Sequence, residues 1–142
     1  MENKELLLRD LCARLPYGVK IYHKSTDING NISIYDMYIL YEISSKGDCI
    51  SLLNYDKKNG VCEVDITLGE FKPYLRPMSS MTKEEKKEYD LKYDLGYAEA
   101  YNEEVFCATS MIDFFNAHHL DYRGLIPKGL ALEAPEGLYK FD

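Results

Sequence analysis

The chain has 142 residues, a formal charge of −7 and an apolar fraction of 46%. That length suits one domain with its own core, and the composition excludes an intrinsically disordered chain. The acidity argues against general nucleic-acid binding, which draws its affinity from phosphate neutralisation, and no stretch approaches the ~20 apolar residues of a membrane span.

Residues 4–15 read as an amphipathic helix. Leu8, Leu11, Cys12 and Leu15 recur at helical spacing, and Lys4, Glu5, Arg9 and Arg14 fall on other faces. Asn3 can cap this helix, and Pro16 ends it, because the residue before a proline avoids the α region. A strand then runs from Gly18 to Lys24, with Val19, Ile21 and His23 on one face. Residues 25–31 form a turn around Asn29-Gly30.

The next strand runs from Ile32 to about Ile43. Its alternation puts Ile34, Tyr38 and Leu40 on one side and Tyr35, Met37, Ile39, Tyr41 and Ile43 on the other. Both faces are apolar or aromatic, which predicts a central strand covered at least in part on both sides. After a turn at Lys46-Gly47, Cys49–Asn54 is a strand. A turn over residues 56–60 leads into Val61–Thr67, with Cys62, Val64 and Ile66 inward and Glu63 and Asp65 outward. Connections this short favour antiparallel hairpins, so the four strands make a meander.

Residues 68–81 hold Pro73 and Pro77 and predict an extended crossover. Thr82 and Glu85 stand at the spacing of a capping box and start a helix that reaches about Leu95 and ends near Gly96. Leu91, Leu95 and Ala98 offer it an inner seam, and Tyr89, Tyr93, Tyr97 and Tyr101 recur every four residues, a pattern that reads as a packing stripe. Asn102 caps a last helix over 103–119, apolar on more than one side through Val105, Ala108, Ile112 and Phe115. The remaining segment is rich in Gly and Pro, but Leu125, Ile126, Leu130, Leu132, Leu138, Tyr139 and Phe141 are too apolar for a free arm. They predict a segment laid across the body. The expected fold is therefore one α+β domain over residues 1–142: an N-terminal helix, a four-stranded antiparallel meander, and two C-terminal helices packed on the sheet.

Cys12, Cys49, Cys62 and Cys107 form no CxxC pair, so zinc-ribbon and thioredoxin signals are absent. They read as small buried hydrophobes whose free thiols suit a reducing cytosol. With no signal peptide at the start, the expected location is cytoplasmic. Residues 83–104 carry four Lys against eight acids. A solvated helix face explains this, and an acidic surface aimed at a basic partner, or a nucleic-acid mimic, is the sharper reading.

Three places can carry chemistry. His118, His119 and Asp121 cluster where the last helix ends. Adjacent helical residues diverge by ~100°, so both imidazoles cannot serve one metal from a regular helix. His118 with Asp121 and His23 is a possible ligand set, and the same groups suit acid–base work. The plain alternative is histidine bonding the last carbonyls at the negative end of the helix dipole. The second place is the proline-bracketed segment, in which Phe71, Tyr74 and Arg76 are partner-binding candidates, since Tyr and Arg are common interface anchors. Its alternative is a rigid crossover with Arg76 answering an acid of the following helix. The third is Glu63 with Asp65, two carboxylates on one strand face and more simply solvated residues. Asp27, Asn29 and Asn31 imitate the start of an EF-hand loop, but Ile32 and Tyr38 stand where its glycine and bidentate glutamate belong. There is no GxGxxG, P-loop or GxSxG motif.

The stretches KPYLRPMSSMT (72–82) and HHLDYRGLIPKGLALEAPEGLY (118–139) resemble short uncharacterised proteins encoded by phages and integrated mobile elements of gut anaerobic bacteria. The resemblance implies an origin and a cytoplasmic setting. It supplies no activity, cofactor or catalytic residue.

Three functions follow as expectations. The first is a non-catalytic interaction protein of a phage or mobile element, binding a protein partner or itself and showing an exposed apolar or aromatic patch. The second is a small enzyme or metal-binding protein using His23, His118 or His119. The third is a nucleic-acid-linked role, either through a local basic face (Lys20, Lys24, Lys72, Arg76) or through mimicry by the acidic helix. No motif demands a cofactor or a membrane, and the balance leans away from an enzyme.

Overall fold

The computed structural model describes residues 3–44, 49–53, 61–65, 70–90 and 103–139. Helix α1 (Asn3–Arg14) leads through a 3-10 turn (Leu15–Tyr17) into β1 (Lys20–Thr26), β2 (Ile32–Ile43), β3 (Cys49–Leu53), β4 (Val61–Asp65) and β5 (Glu70–Leu75). Helix α2 is described over 83–90. Helix α3 (Glu103–Ala117) and a two-residue strand, β6 (Leu132–Glu133), come after it. The six strands form one sheet in the order β4-β3-β2-β1-β5-β6. Every neighbouring pair is antiparallel except β5 and β6, which run parallel.

The fold is thus α+β, as its element pattern predicts, and β1 to β4 are the expected meander. The sheet is larger than four strands and is mixed. The expected crossover over 68–81 is replaced in its middle by β5, which pairs with β1 from Ile21↔Pro73 to Lys24↔Glu70. Proline lacks the N–H a ladder needs, so it favours places where a strand has one pairing neighbour. Pro73 has such a place: β6 reaches only Tyr74 and Leu75.

Among the described residues, the buried face of the sheet is covered by α1 and the segment after α3. Leu11 of α1 meets Val19, Ile21, Leu40, Ile50, Leu52, Phe71 and Leu75 of the sheet side, closed over by Leu125 and Ala131. Burying each of the larger aliphatic side chains stabilises the fold by about 1.5–3 kcal/mol. α3 packs on α1. Its buried Phe114 sits outside that cluster, against Tyr89 of α2 and His118.

The face of α1 that turns inward keeps Leu11 and Leu15 of the expected Leu8/Leu11/Cys12/Leu15 stripe but turns Cys12 out. Leu7, Asp10, Leu11 and Arg14 share one side, with Asp10, Leu11 and Arg14 fully buried and Cys12 exposed. The two charged residues pair with each other, Arg14 Nε donating to Asp10 Oδ2 at 2.7 Å, and Arg14 Nη2 donates to the Leu120 carbonyl at 2.7 Å. Burial of this charge is tolerated because it is paired and hydrogen-bonded.

Two one-residue bulges reset the alternation of β2. Tyr38 pairs with Ile21 but Tyr35 pairs with His23, so one extra residue lies between them. A second irregularity falls between Leu40 and Glu42, at Tyr41. Each insertion swaps the faces. As a result Ile32 and Ile34, in step with buried Leu40, are 57% and 60% exposed, and Tyr41, at the second bulge, is 56% exposed. The outer face of β2 is therefore bare at these residues, contrary to the expected cover on both sides.

Two local predictions hold at atomic detail. Asp27 Oδ1 accepts from the Asn29 and Asn31 amides at 2.8 Å each, and Gly30 takes the positive φ of 83° that the turn demands. These donated bonds, the one from Asn31 foremost, hold the Asp27 carboxyl below its usual range. At α2, Glu85 N donates to Thr82 Oγ1 at 3.1 Å and Thr82 N donates to Glu85 Oε1 at 2.9 Å, a complete capping box. The tyrosine stripe at 93, 97 and 101, the Leu91/Leu95/Ala98 seam, the helix end at Gly96, the Asn102 cap, the turns at Lys46-Gly47 and 56–60, Ile66 and Phe141 lie outside the described residues, as do the side chains of Cys62, Glu63, Asp65, Val105, Cys107 and Ala108.

Candidate functional site

The candidate residues converge where β5 ends beside the C-terminus of α3. α3 closes with a Schellman motif: Leu120 N donates to Phe115 O at 2.9 Å and His119 N to Asn116 O at 3.2 Å. This puts His119 at the left-handed position, φ 59°, where glycine or asparagine is usual. Backbone pairing with β5 holds the strained turn in place. Arg76 N donates to His119 O and Asp121 N to Arg76 O, both at 2.8 Å, so the chain after α3 runs as a short parallel extension beside β5.

Arg76 is spent on this junction. Nη1 donates to Glu85 Oε2 at 2.7 Å and to the His118 carbonyl at 3.3 Å; Nη2 donates to Glu85 Oε1 at 2.6 Å and to the Ser80 carbonyl at 3.0 Å. The bidentate pair holds the Glu85 carboxyl down to about 2. The plainer reading of Arg76, answering an acid of the next helix, is the one the geometry realises. His118 adds to the same knot, its Nδ1 at 2.9 Å from Glu85 Oε2 and its Nε2 at 3.7 Å from Glu88 Oε2.

Phe71 and Tyr74 are buried, 6% and 8% exposed, so neither presents the surface that an interface anchor needs. Phe71 belongs to the core cluster, and Tyr74 meets Tyr22 edge-on at 6.5 Å. His23 is buried on β1, which lowers its pKa. His119 is fully buried; burial first, and then the nearby Arg14 charge, press its pKa down to about 3 and keep the imidazole neutral. Asp121 accepts from the Leu125 and Ile126 amides at 2.8 and 2.9 Å, an anchoring role for the loop that covers the core. The set His23, His118 and Asp121 is not assembled: among the described residues no three of His, Cys, Asp and Glu are placed to hold a metal ion.

Tyr139 joins the site although no sequence motif singles it out. Its ring stacks on His119 at 3.7 Å and 15°. Its hydroxyl donates to Tyr74 O at 2.7 Å and accepts from Lys20 N at 2.8 Å. Burial pushes the phenol pKa well up, so the hydroxyl stays a donor. Lys20 Nζ donates to the Leu138 carbonyl at 2.8 Å. The apolar segment predicted to lie across the body is thereby clamped to β1 and β5. The Leu138-Tyr139 pair signals that this segment is anchored, but nothing in the pattern names the backbone groups it meets.

Two surfaces among the described residues can take a ligand. One is a cleft of about 460 Å³ between Arg76, Pro77, Ser80 and Thr82 on one wall and residues 133–137 with Tyr139 on the other. Its size falls in the range of ligand sites. The second is the outer side of the β1–β2 hairpin, where Ile28, Ile32 and Ile34 are exposed. The expected basic face is not a common free surface, since Lys20 holds Leu138 and Arg76 holds Glu85.

Comparison of the chain with protein-family models, with curated proteins and with solved structures finds no match. Among the described residues no helix is long and apolar enough to cross a membrane.

Proposed function

We propose that this protein is a non-catalytic interaction module of a phage or mobile element that binds a protein partner through the outer side of its β1–β2 hairpin. The observation that carries the reading is the exposure of Ile28, Ile32 and Ile34 within one hairpin, with Tyr41 further along the same strand. Single exposed apolar residues are ordinary, but neighbouring ones mark interaction surfaces. The bulges in β2 favour this reading, because they turn branched side chains outward where plain alternation would have buried part of them. The placement of the imidazoles gives the enzymatic alternative less support: His23 and His119 are enclosed, and His118 faces Glu85 and Glu88. The phage or mobile-element origin rests on the stretches 72–82 and 118–139.

The test is a pulldown from host lysate with the wild type and with Ile32→Lys/Ile34→Lys, read by mass spectrometry. The double variant keeps its thermal transition, because both side chains already face water. The reading requires a protein that the wild type retains and the variant loses. Identical retained sets, or no specific protein at all, would sink it.

A further inference from the structure

We infer that the cleft between residues 76–82 and 133–139 binds a short extended peptide carrying Lys or Arg. This is a second surface, distinct from the hairpin. The argument begins with charge. Among the described residues Arg76 is the cation lining the cleft, and all four of its terminal N–H groups are already committed to Glu85, His118 and Ser80. The opposite wall carries Glu133 and Glu136, both exposed, and neither has an ion-pair partner among the described residues. The positive side of the cleft is therefore neutralised internally while its negative side is open to a ligand. Complementary charge selects a cationic occupant and disfavours an anionic one.

Shape narrows the class. Pro77 and Pro135 stand on the two walls, and Tyr139 lines the cleft beside residues 133–137. Prolines hold those walls without ordering cost on binding. Such surfaces suit the methylene stems of Lys or Arg, whose charged heads then reach the carboxylates at the rim. The ring of Tyr139 already takes one ammonium near its face, with Lys20 Nζ 5.6 Å from the centroid. The wall at 133–137 continues directly from β6, so the cleft is held by the same backbone bonds that attach that strand to β5, including Ala134 N to Leu75 O at 2.7 Å. The site is thus formed before the ligand arrives, the condition for useful affinity from a small contact.

The experiment uses the full chain and a fluorescein-labelled hexa-arginine peptide, followed by anisotropy at low salt, with hexaglutamate as the opposite probe. Three proteins are compared: the wild type, Glu133→Gln/Glu136→Gln, and Glu84→Gln/Asp113→Asn, which removes the same charge from exposed sites elsewhere. Binding in the cleft predicts about a tenfold loss for the first pair and less than about twofold for the second. It also predicts that the amide resonances of Ala134 and Gly137 shift during titration. Equal losses in both variants would mean attraction to the acidic surface at large and would overturn the proposal. So would no binding of hexa-arginine, or preference for hexaglutamate.

Discussion

The ring of Tyr139 lies on the ring of His119 at 3.7 Å, and its hydroxyl joins two strands by bonding Lys20 N and Tyr74 O. One side chain thus covers a strained turn and closes the sheet at β1 and β5.

Tyr139→Phe keeps the stack and removes both hydroxyl bonds. Losing both bonds, one to Lys20 N and one to Tyr74 O, costs about 1–3 kcal/mol. Urea unfolding should show the loss, and the Lys20 amide should exchange faster with solvent. An unchanged midpoint would mean that the ring alone holds the segment.

Acid should weaken the fold in two separable steps. His119 has its folded pKa lowered from 6.5 to about 3. Between those values the unfolded chain takes the proton and the folded one does not, so stability falls as pH drops through 6.5 towards 3. Glu85 is lowered from 4.5 to about 2 by its bond to Arg76. Its contribution is complete above 4.5 and is lost as pH falls towards 2. In a pH series of denaturant midpoints, His119→Asn should flatten the first step and Glu85→Gln the second. His23, lowered in the same direction, leaves a residual slope in the first window. A parallel offset of either variant at every pH would refute the assignment.

Asp10 and Arg14 form a pair with no exposed side-chain surface. Arg14→Met leaves Asp10 charged and enclosed, with Arg123 Nε 3.4 Å away as its nearest cation, and should cost about 3–5 kcal/mol. Asp10→Leu/Arg14→Met removes both charges and should be markedly milder than Arg14→Met alone. Thermal unfolding of the single and double variants checks the order; additive losses would show that the pair is not coupled.

What the chain discloses before folding is mainly local. The turn at Asp27 and the cap at Thr82 and Glu85 need only neighbours in sequence, and both form as their spacing implies. The strands of the meander announce themselves by alternation. Arg14 is hidden because an Asp–Arg pair at i,i+4 looks the same on a surface as in a core, until Leu120 arrives to accept from Nη2. β5 is hidden by its proline, Pro73, which is tolerated because β6 reaches only Tyr74 and Leu75. The bulges in β2 leave no residue signature, so alternation places Ile34 beside Leu40 on one face although it ends on the other. Of the site residues, Arg76 meets the acid of the following helix, but position in the chain alone groups the histidines. The left-handed turn at His119 separates it from His118 and sends the two rings to different neighbours, Tyr139 and Glu85.

The bond from Lys20 to Tyr139 spans 119 residues. Residue 139 must therefore be synthesised before this clamp can close, and everything assembled earlier waits with β5 uncovered along one side. Pairing that depends on such distant segments is slow to find. During synthesis this protein should lean on chaperones until residue 139 emerges, and nonsense products ending before residue 132 should be cleared rather than accumulate.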